Sequence, residues 1–280
     1  MNELPVDGKI REAMVAGIFY PEEPAELRRA VAAALDAAAP ARRDAIAVMS
    51  PHAGFEYSGA AQAVAWKAAS GRTVRRVVIL APLHRSRDLV AYLPESARFQ
   101  TPLGDVTVDM DLCAELESCG TVFSVNDIPH MEEHAVEVQL PFMKLLFPDA
   151  CLVPLLISGN GASLAASLSR SLDLVLGQDL AGTLLVVSTN LASSMMPAEA
   201  KARSDGLLDR VSRGDWHAIA EEQGPDERQA CGASALATLM AMKSLSGSTY
   251  ELLIHIDSQR HRENATERIV HYAAAAWYRP

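Results

Sequence analysis

The chain has 280 residues, of which 49% are hydrophobic and 21% are charged, a composition typical of a globular protein that can bury a substantial core. Its formal charge of −10, from 35 acidic and 25 basic residues, argues against an extended nucleic-acid-binding surface or an anionic membrane as a partner. The N-terminal segment lacks the apolar core of a signal peptide, and no run reaches the roughly 18 apolar residues of a membrane helix, so we expect a cytoplasmic protein.

Strand-like and helix-like segments alternate along the chain. Runs rich in Val, Ile and Leu predict strands near residues 45–50, 75–81, 151–157, 183–188 and 250–256. Helical composition or periodicity predicts helices over 24–38, 58–69, 109–119, 134–146, 162–177, 198–213, 231–245 and 265–278. This alternation predicts one α/β domain over residues 1–280, with a mostly parallel central sheet flanked by helices.

Two of the predicted strands run into a proline and then a histidine. Pro51 and His52 follow the strand near 45–50, and Pro82 and His84 follow the next strand. Loops converge beyond the carboxyl ends of parallel strands, so two such imidazoles can share one metal ion. Each histidine could instead cap its buried strand through a hydrogen bond.

A third polar cluster lies at the predicted start of the helix over 134–146. It contains Glu133, His134 and Glu137, and the four-residue spacing of the two carboxylates puts them on one face if the helix begins that early. A histidine at a helix start favours its neutral form, which suits proton transfer. We expect His130, just upstream, to be exposed.

The four cysteines show no CxxC spacing, which argues against a disulfide framework or a zinc knuckle. Cys113, Cys119 and Cys151 lie in helix-like or strand-like segments and are expected to be small core residues. Cys231 precedes a helical pattern, where free backbone N–H groups stabilise a thiolate. It is a candidate ligand or nucleophile, or a small residue beneath a helix start.

Several common catalytic motifs are missing from the sequence. Neither a phosphate-binding GxGxxG or GxxxxGK[ST] nor a GxSxG nucleophile elbow occurs in a strand-turn-helix context. This argues against the NAD-dependent, P-loop and α/β-hydrolase classes. The predicted strand near 183–188 opens into small polar residues, a weak signal by itself.

Seven segments of the chain occur in an order that matches a known family. They are REAMVAGIFYP at 11–21, SPHAGFEYSG at 50–59, VVILAPLH at 77–84, TPLGDVTVD at 101–109, EEHAVEVQLPF at 132–142, VVSTNLASS at 186–194 and ACGASAL at 230–236. Over residues 11–278 the chain resembles the Memo-like family, called AmmeMemoRadiSam system protein B in microbial genomes. The resemblance implies a fold similar to that of the class III extradiol dioxygenases, which use non-haem iron. It also implies association with AMMECR-type and radical-SAM proteins.

The resemblance further implies a metal ion bound by His52, His84 and Cys231. Two imidazole nitrogens and a thiolate form an open three-ligand site that suits iron, copper or zinc, and the dioxygenase likeness favours iron. An open position would admit water, dioxygen or a substrate oxygen.

The chain departs from the family pattern at residues 188–194. Relatives carry Ser-Ser-Asp-Leu-Ser-His-Tyr there, so Asn190 replaces an aspartate and Ser193 a histidine. An amide can hydrogen-bond but cannot take a proton near neutral pH, which puts dioxygenase activity in doubt. The catalytic candidates are then His134, as the remaining acid or base, together with Asn190 and Glu133.

Three functions remain open on the sequence. The first is a metal-dependent redox or dioxygenase-like enzyme that acts on a small molecule. The second is a binding or scaffold protein that keeps the pocket without turnover, since animal members are associated with receptor signalling, cell motility and the binding of phosphotyrosine peptides. The third is metal-assisted hydrolysis, with Glu133, Glu137 or His134 as the base.

Overall fold

The computed structural model describes residues 8–177, 180–221, 230–261 and 267–279. Within these ranges the chain is organised around one large mixed sheet. The strands within these ranges are β1 (Ile10–Arg11), β2 (Ala47–Ser50), β3 (Arg76–Pro82), β4 (Val90–Leu93), β5 (Arg98–Phe99), β6 (Val106–Thr107), β7 (Phe123–Val125), β8 (Cys151–Ser158), β9 (Thr183–Ser188), β10 (Ser193–Ser194), β11 (Thr249–Asp257) and β12 (Ile269–Tyr278).

Helices pack against these strands. They are α1 (Pro24–Ala37), α2 (Phe55–Lys67), α3 (Met110–Ser118), α4 (Asp127–Glu132), α5 (Leu140–Leu146), α6 (Ala162–Leu176), α7 (Pro197–Ser212), α8 (Trp216–Ala220) and α9 (Ala233–Ala241). Short 3-10 helices span Glu137–Gln139, Lys243–Leu245 and Gln259–His261. None of the described helices has the length and hydropathy needed to cross a membrane.

The centre of the main sheet is parallel, with β2, β9, β3 and β8 paired in that order. β12 joins β2 in antiparallel fashion and carries β10 and β11, while β4 joins β8 antiparallel and pairs with β7 in parallel. β1, β5 and β6 form a separate small sheet. The expected α/β fold with a central sheet flanked by helices is confirmed, and the antiparallel pairs lie towards its margins.

Burial on both faces explains the continuous apolar runs of the central strands. α2 contacts β2 and β12 and packs with α1 and α5, whereas α9 contacts β3 and β9 and packs with α6 and α8. Every residue of β2 and β9 is buried. A strand covered on both sides needs apolar residues at every position rather than at alternate ones.

The helix predicted over 265–278 is wrong, because Ile269–Tyr278 forms β12. The run Ala273 to Ala276 has high intrinsic helix propensity, but each of these alanines has no exposed surface in the sheet between β11 and β2. A short, continuously apolar run does not distinguish a buried strand from a buried helix, and tertiary packing overrides propensity there.

His130, which we expected to be exposed, is 1% exposed. The side chain of Asn126 caps α4 by accepting from the backbone N–H of Ile128. The buried ring of His130 packs against Phe99. The His130 Nε2 atom lies 3.1 Å from the Tyr92 carbonyl oxygen and donates to it. Burial lowers the pKa of His130 to about 3.

We predict that His130→Gln reduces the dependence of the unfolding free energy on pH. His130 is neutral when folded but takes up a proton near its ordinary pKa of 6.5 when unfolded. Its stabilising contribution is therefore complete above about pH 6.5 and is lost as the pH falls towards about 3. Glutamine keeps a donor for Tyr92 but cannot titrate.

Chemical denaturation at several pH values between about 7 and about 4 measures this slope. The slope should be smaller in His130→Gln than in the wild type, by up to about 1.4 kcal/mol per pH unit. His217→Gln, at an exposed histidine, is the matched control and should leave the slope unchanged. Equal slopes in all three proteins would show that His130 does not stay neutral in the fold.

Candidate metal centre

The carboxyl ends of the central strands bring the predicted ligands together. Ser50 at the end of β2 is paired with Ser188 at the end of β9, and β3 ends at Pro82 beside them in the sheet. His52 and His84 follow directly on these strand ends. Parallel strands that end at one edge place the loops that follow them around a common cavity.

The His52 ring is fixed by a hydrogen bond to the Ser188 hydroxyl, which also bonds two other groups. Ser188 Oγ donates to the Ala135 carbonyl at 2.7 Å and accepts from the Gln139 amide at 3.1 Å. The contact of 2.9 Å between Ser188 Oγ and His52 Nδ1 therefore has the imidazole as donor. His52 Nε2 is left to face Cys231 Sγ, at 3.2 Å.

His84 is held in a similar way by Glu133. The Oε2 atom of Glu133 accepts from the His84 backbone N–H at 2.9 Å and from His84 Nδ1 at 2.8 Å, so Nε2 is the nitrogen that would bind a metal ion, after releasing its proton. Burial opposes a charge on His84, but Cys231 and Glu133 outweigh it and raise the pKa of His84 to about 10. The His84 side chain is 36% exposed, which leaves this side of the cluster open to solvent.

Cys231 supplies the sulfur between the two imidazoles. Its Sγ atom accepts from the Asn190 backbone N–H at 3.2 Å. Burial alone would raise the pKa of the Cys231 thiol, but His52 and His84 hold it well below its ordinary value. The side chain is therefore suited to act as a thiolate, the form that binds metals.

The approach of Cys231 to the strand end requires a glycine. The Gly232 backbone N–H donates to Thr189 Oγ1 at 2.9 Å. A Cβ atom at Gly232 would lie 2.7 Å from the Thr189 Cβ and 2.8 Å from the Ser188 carbonyl oxygen, closer than side-chain carbons approach in folded proteins. No other residue type fits here without moving the segment that carries Cys231.

Asn190 joins two of the predicted ligands. Its Oδ1 atom accepts from the His52 backbone N–H at 3.0 Å, and its carbonyl oxygen accepts from the Cys231 backbone N–H at 3.2 Å. Ser193 lies in β10, where the Arg268 guanidinium donates to its carbonyl oxygen at 2.9 Å and lies 3.3 Å from its hydroxyl. Asn190 therefore holds His52 and Cys231 in place, while the hydroxyl of Ser193 is engaged by a loop arginine.

His134 stands beside the three predicted ligands. Its ring is parallel to that of His84, with 5.3 Å between the centroids and 4° between the planes, and lies 5.4 Å from the His52 ring. The Phe19 ring covers it at 4.7 Å. Burial, with a smaller effect of His52, lowers the pKa of His134 to about 4, so its imidazole is neutral and can accept a proton.

Glu137 does not share a face with Glu133, and that expectation is wrong. Glu133 has extended backbone after α4, and helical structure resumes only at the 3-10 helix Glu137–Gln139. The Glu137 carboxylate is buried in an ion pair with Arg11 and accepts from the Tyr20 hydroxyl at 2.6 Å. It is thus engaged as a structural anion.

No sequence motif marks Ser188, Gln139, Phe19 or Arg11 individually. Ser188 ends an apolar strand, as Ser50 does, and that signal could have marked it as a neighbour of His52. Phe19 and Arg11 lie in a segment that precedes the first main-sheet strand. Their contacts with residues 130–137 depend on tertiary packing, which no local pattern encodes.

The donor set fits a transition metal. Among the residues that the structure describes, His52, His84 and Cys231 have ligand atoms within 4.8 Å of one another. The separation of 3.2 Å between His52 Nε2 and Cys231 Sγ is close to the roughly 3.5 Å between nitrogen and sulfur ligands of a tetrahedral ion. His84, Glu133 and His134 form a second such group, but the contact of 2.8 Å between His84 and Glu133 is a hydrogen bond.

The fold and this cluster define an α/β protein with a candidate metal centre at the carboxyl edge of its sheet. A family model described as Memo-like protein matches residues 11–276, and the chain belongs to that family.

Relatives of similar length support this assignment. The chain is 29% identical to a MEMO1 family protein of Aeropyrum pernix over 89% of this chain and 93% of the relative. It is 27% identical to a MEMO1 family protein of Desulfurococcus amylolyticus over 96% and 99%. Among solved structures, an uncharacterized protein of Escherichia coli K12, JW3007, superposes with a TM-score of 0.51 at 12% identity, over 82% of this chain and 98% of that one. That likeness concerns the fold alone.

We predict that Gly232→Ala moves Cys231 away from His52. The added methyl group must displace Thr189 or the end of β9, so we expect a loss of about 1–3 kcal/mol in unfolding free energy and weaker Co(II) binding. Gly59→Ala is the matched control, because its Cβ would meet Phe55 at an ordinary 3.4 Å within α2. Urea denaturation and Co(II) titration should separate the two variants. Equal behaviour would mean that residue 232 tolerates a side chain.

Proposed function

We propose that this protein binds one transition metal ion through His52, His84 and Cys231 and uses it in redox chemistry on a small molecule. One observation carries the proposal: both imidazoles are fixed through Nδ1, by Ser188 and by Glu133, so that Nε2 of each faces the Cys231 sulfur. Hydrogen bonds to the non-ligating nitrogen are what orient histidines in metal sites.

The chemistry of the donors narrows the choice of metal. Two imidazoles and one thiolate suit iron, copper and zinc, and the proposed redox role favours iron, with copper as the alternative. Such an ion would supply Lewis acidity and, for iron or copper, electron transfer with dioxygen as the oxidant. The exposed side of His84 supports access for a small molecule or a peptide side chain.

The protein's own groups divide the remaining work. His134 is neutral and half-buried, and its ring centroid lies 5.3 Å from that of His84 and 5.4 Å from that of His52, so it is the group we assign to move a proton. Asn190 orients His52 and Cys231 through hydrogen bonds. Glu133 orients His84 and remains ionised, because His84 outweighs burial and holds the pKa of Glu133 at about 2.

Metal-assisted hydrolysis has less support than redox chemistry. It needs a base, and Glu137 is paired with Arg11 and Tyr20, while both oxygens of Glu133 already accept N–H groups. Only His134 remains of the three candidate bases. A binding protein without turnover is the other outcome, and turnover experiments distinguish it.

We predict that Cys231→Ala loses the metal ion. Protein reconstituted with Fe(II) or Cu(I) without oxygen should hold about one ion per chain, and the variant should hold almost none after desalting. Cys151→Ala is the matched control, because Cys151 begins β8 beside Arg76 at the opposite end of the strands. Metal analysis of both variants makes the comparison. Undiminished metal in Cys231→Ala would sink the ligand assignment.

We predict metal-dependent oxygen consumption with one or more members of a panel of catechols and thiols. His134→Asn should retain the metal but lower the rate by roughly 10²–10⁴-fold, the usual contribution of a positioned acid or base. An oxygen electrode measures the rate, and metal analysis verifies occupancy. Full occupancy with no oxygen uptake on any substrate would favour the binding protein, and hydrolysis that persists without oxygen would favour a hydrolase.

A further inference from the structure

Arg11 is one of the largest fully buried side chains of the described residues, although it is a cation at the end of a two-residue strand. Its guanidinium donates through Nε to the His130 carbonyl at 2.8 Å and through Nη2 to the Glu133 carbonyl at 3.1 Å. Nη1 pairs with Glu137. One side chain thus contacts the segment 130–137 at three points.

The segment that Arg11 contacts carries Glu133, which orients His84 in the candidate metal centre. The Glu133 carboxylate accepts from the backbone N–H groups of His134 and Ala135 at 2.8 and 3.0 Å, besides its two bonds to His84. Glu133 itself has extended backbone, and its carbonyl oxygen is held by Arg11 Nη2. Helical hydrogen bonding resumes at the next residue, whose carbonyl oxygen accepts from the Val138 backbone N–H at 3.0 Å. The orientation of Glu133 therefore depends in part on a group outside the turn.

We propose that Arg11 is a positioning residue for the candidate metal centre, because its fork of N–H donors fixes the turn from which Glu133 orients His84. The contacts of Arg11 support this positioning role by themselves, whereas its effect on metal binding rests on the proposed function. Only arginine offers several donors in one rigid plane. A lysine would keep the charge beside Glu137 but could not reach both carbonyl oxygens in fixed directions.

Glu137 anchors the same assembly from the other side. It accepts from the backbone N–H groups of Met14 and Val15 at 3.0 and 2.9 Å, which ties the segment after β1 to the 3-10 helix. Phe19, on that segment, packs against His134. The N-terminal segment therefore supports His84 through Arg11 and Glu133, and it supports His134 through Phe19.

The test replaces the ion pair without leaving a buried charge. Arg11→Met alone would strand the Glu137 carboxylate and could unfold the protein, so the main variant is Arg11→Met/Glu137→Gln. The control is Arg76→Met/Asp109→Asn, which removes a partly buried ion pair at the start of β3, at the opposite end of the strands. Asparagine at 109 still caps α3.

Three readouts are taken on each protein: thermal unfolding, Co(II) affinity with its visible spectrum, and the imidazole N–H resonance of His84 in metal-free protein. We expect the main variant to bind Co(II) about tenfold more weakly, with a shifted spectrum and a His84 Nδ1–H resonance broadened by exchange with water. The control should lose thermal stability but keep the wild-type Co(II) affinity, visible spectrum and His84 N–H resonance. Arg11→Lys should fall between the wild type and the main variant.

The outcomes separate this inference from the proposed function. Wild-type Co(II) affinity, spectrum and His84 resonance in the main variant would overturn the role of Arg11 while leaving the metal site intact. If the wild type itself fails to bind Co(II), the proposed function fails, and the His84 resonance still decides whether Arg11 positions Glu133. Equal changes in the control would show that the Co(II) and His84 signals respond to general destabilisation. That result would also overturn the role of Arg11.

Discussion

The Glu133 carboxylate is the contact on which the arrangement of the site depends. One oxygen accepts two N–H groups of His84, and the other accepts the backbone N–H groups of His134 and Ala135. Two segments that lie 49 residues apart in the chain are joined at a single buried anion. A buried carboxylate must find such partners, because an unpaired one costs several kcal/mol. Satisfying Glu133 therefore also orients His84 and fixes the backbone beside His134.

The sheet supplies the second constraint. β2 and β9 end in register, and Ser188 can then bond His52 while Asn190, two residues further on, bonds the backbone of both His52 and Cys231. Cys231 comes from a distant part of the sequence and reaches this edge only because Gly232 lacks a side chain. His52 and Cys231 are thus positioned by the strand ends together with hydrogen bonds from Ser188 and Asn190.

Local patterns predicted those parts of the fold that local physics decides. The apolar runs of β2, β3, β8 and β9 and the polar residues that follow them identified the strand ends. A predicted helix start marked Cys231 as a candidate ligand, and the family resemblance grouped it with His52 and His84, which the structure brings together. Patterns failed where packing decides: the alanines of β12 suggested a helix, and His130 is buried although it lies on a helix of only six residues. Glu137 was misplaced because its partner, Arg11, is 126 residues away.

These contacts divide the site between two supports. His52, Cys231 and Asn190 rest on the ends of parallel strands in the interior of the sheet, where both faces are covered and movement is small. Glu133 and His134 rest on an irregular segment that the N-terminal segment holds through Arg11, Glu137 and Phe19. His84 belongs to both, since its backbone follows β3 and its ring is held by Glu133. A change in the N-terminal segment would therefore act first on the orientation of His84 and His134, and would reach His52 only through the bonds of Ser188 to Ala135 and Gln139.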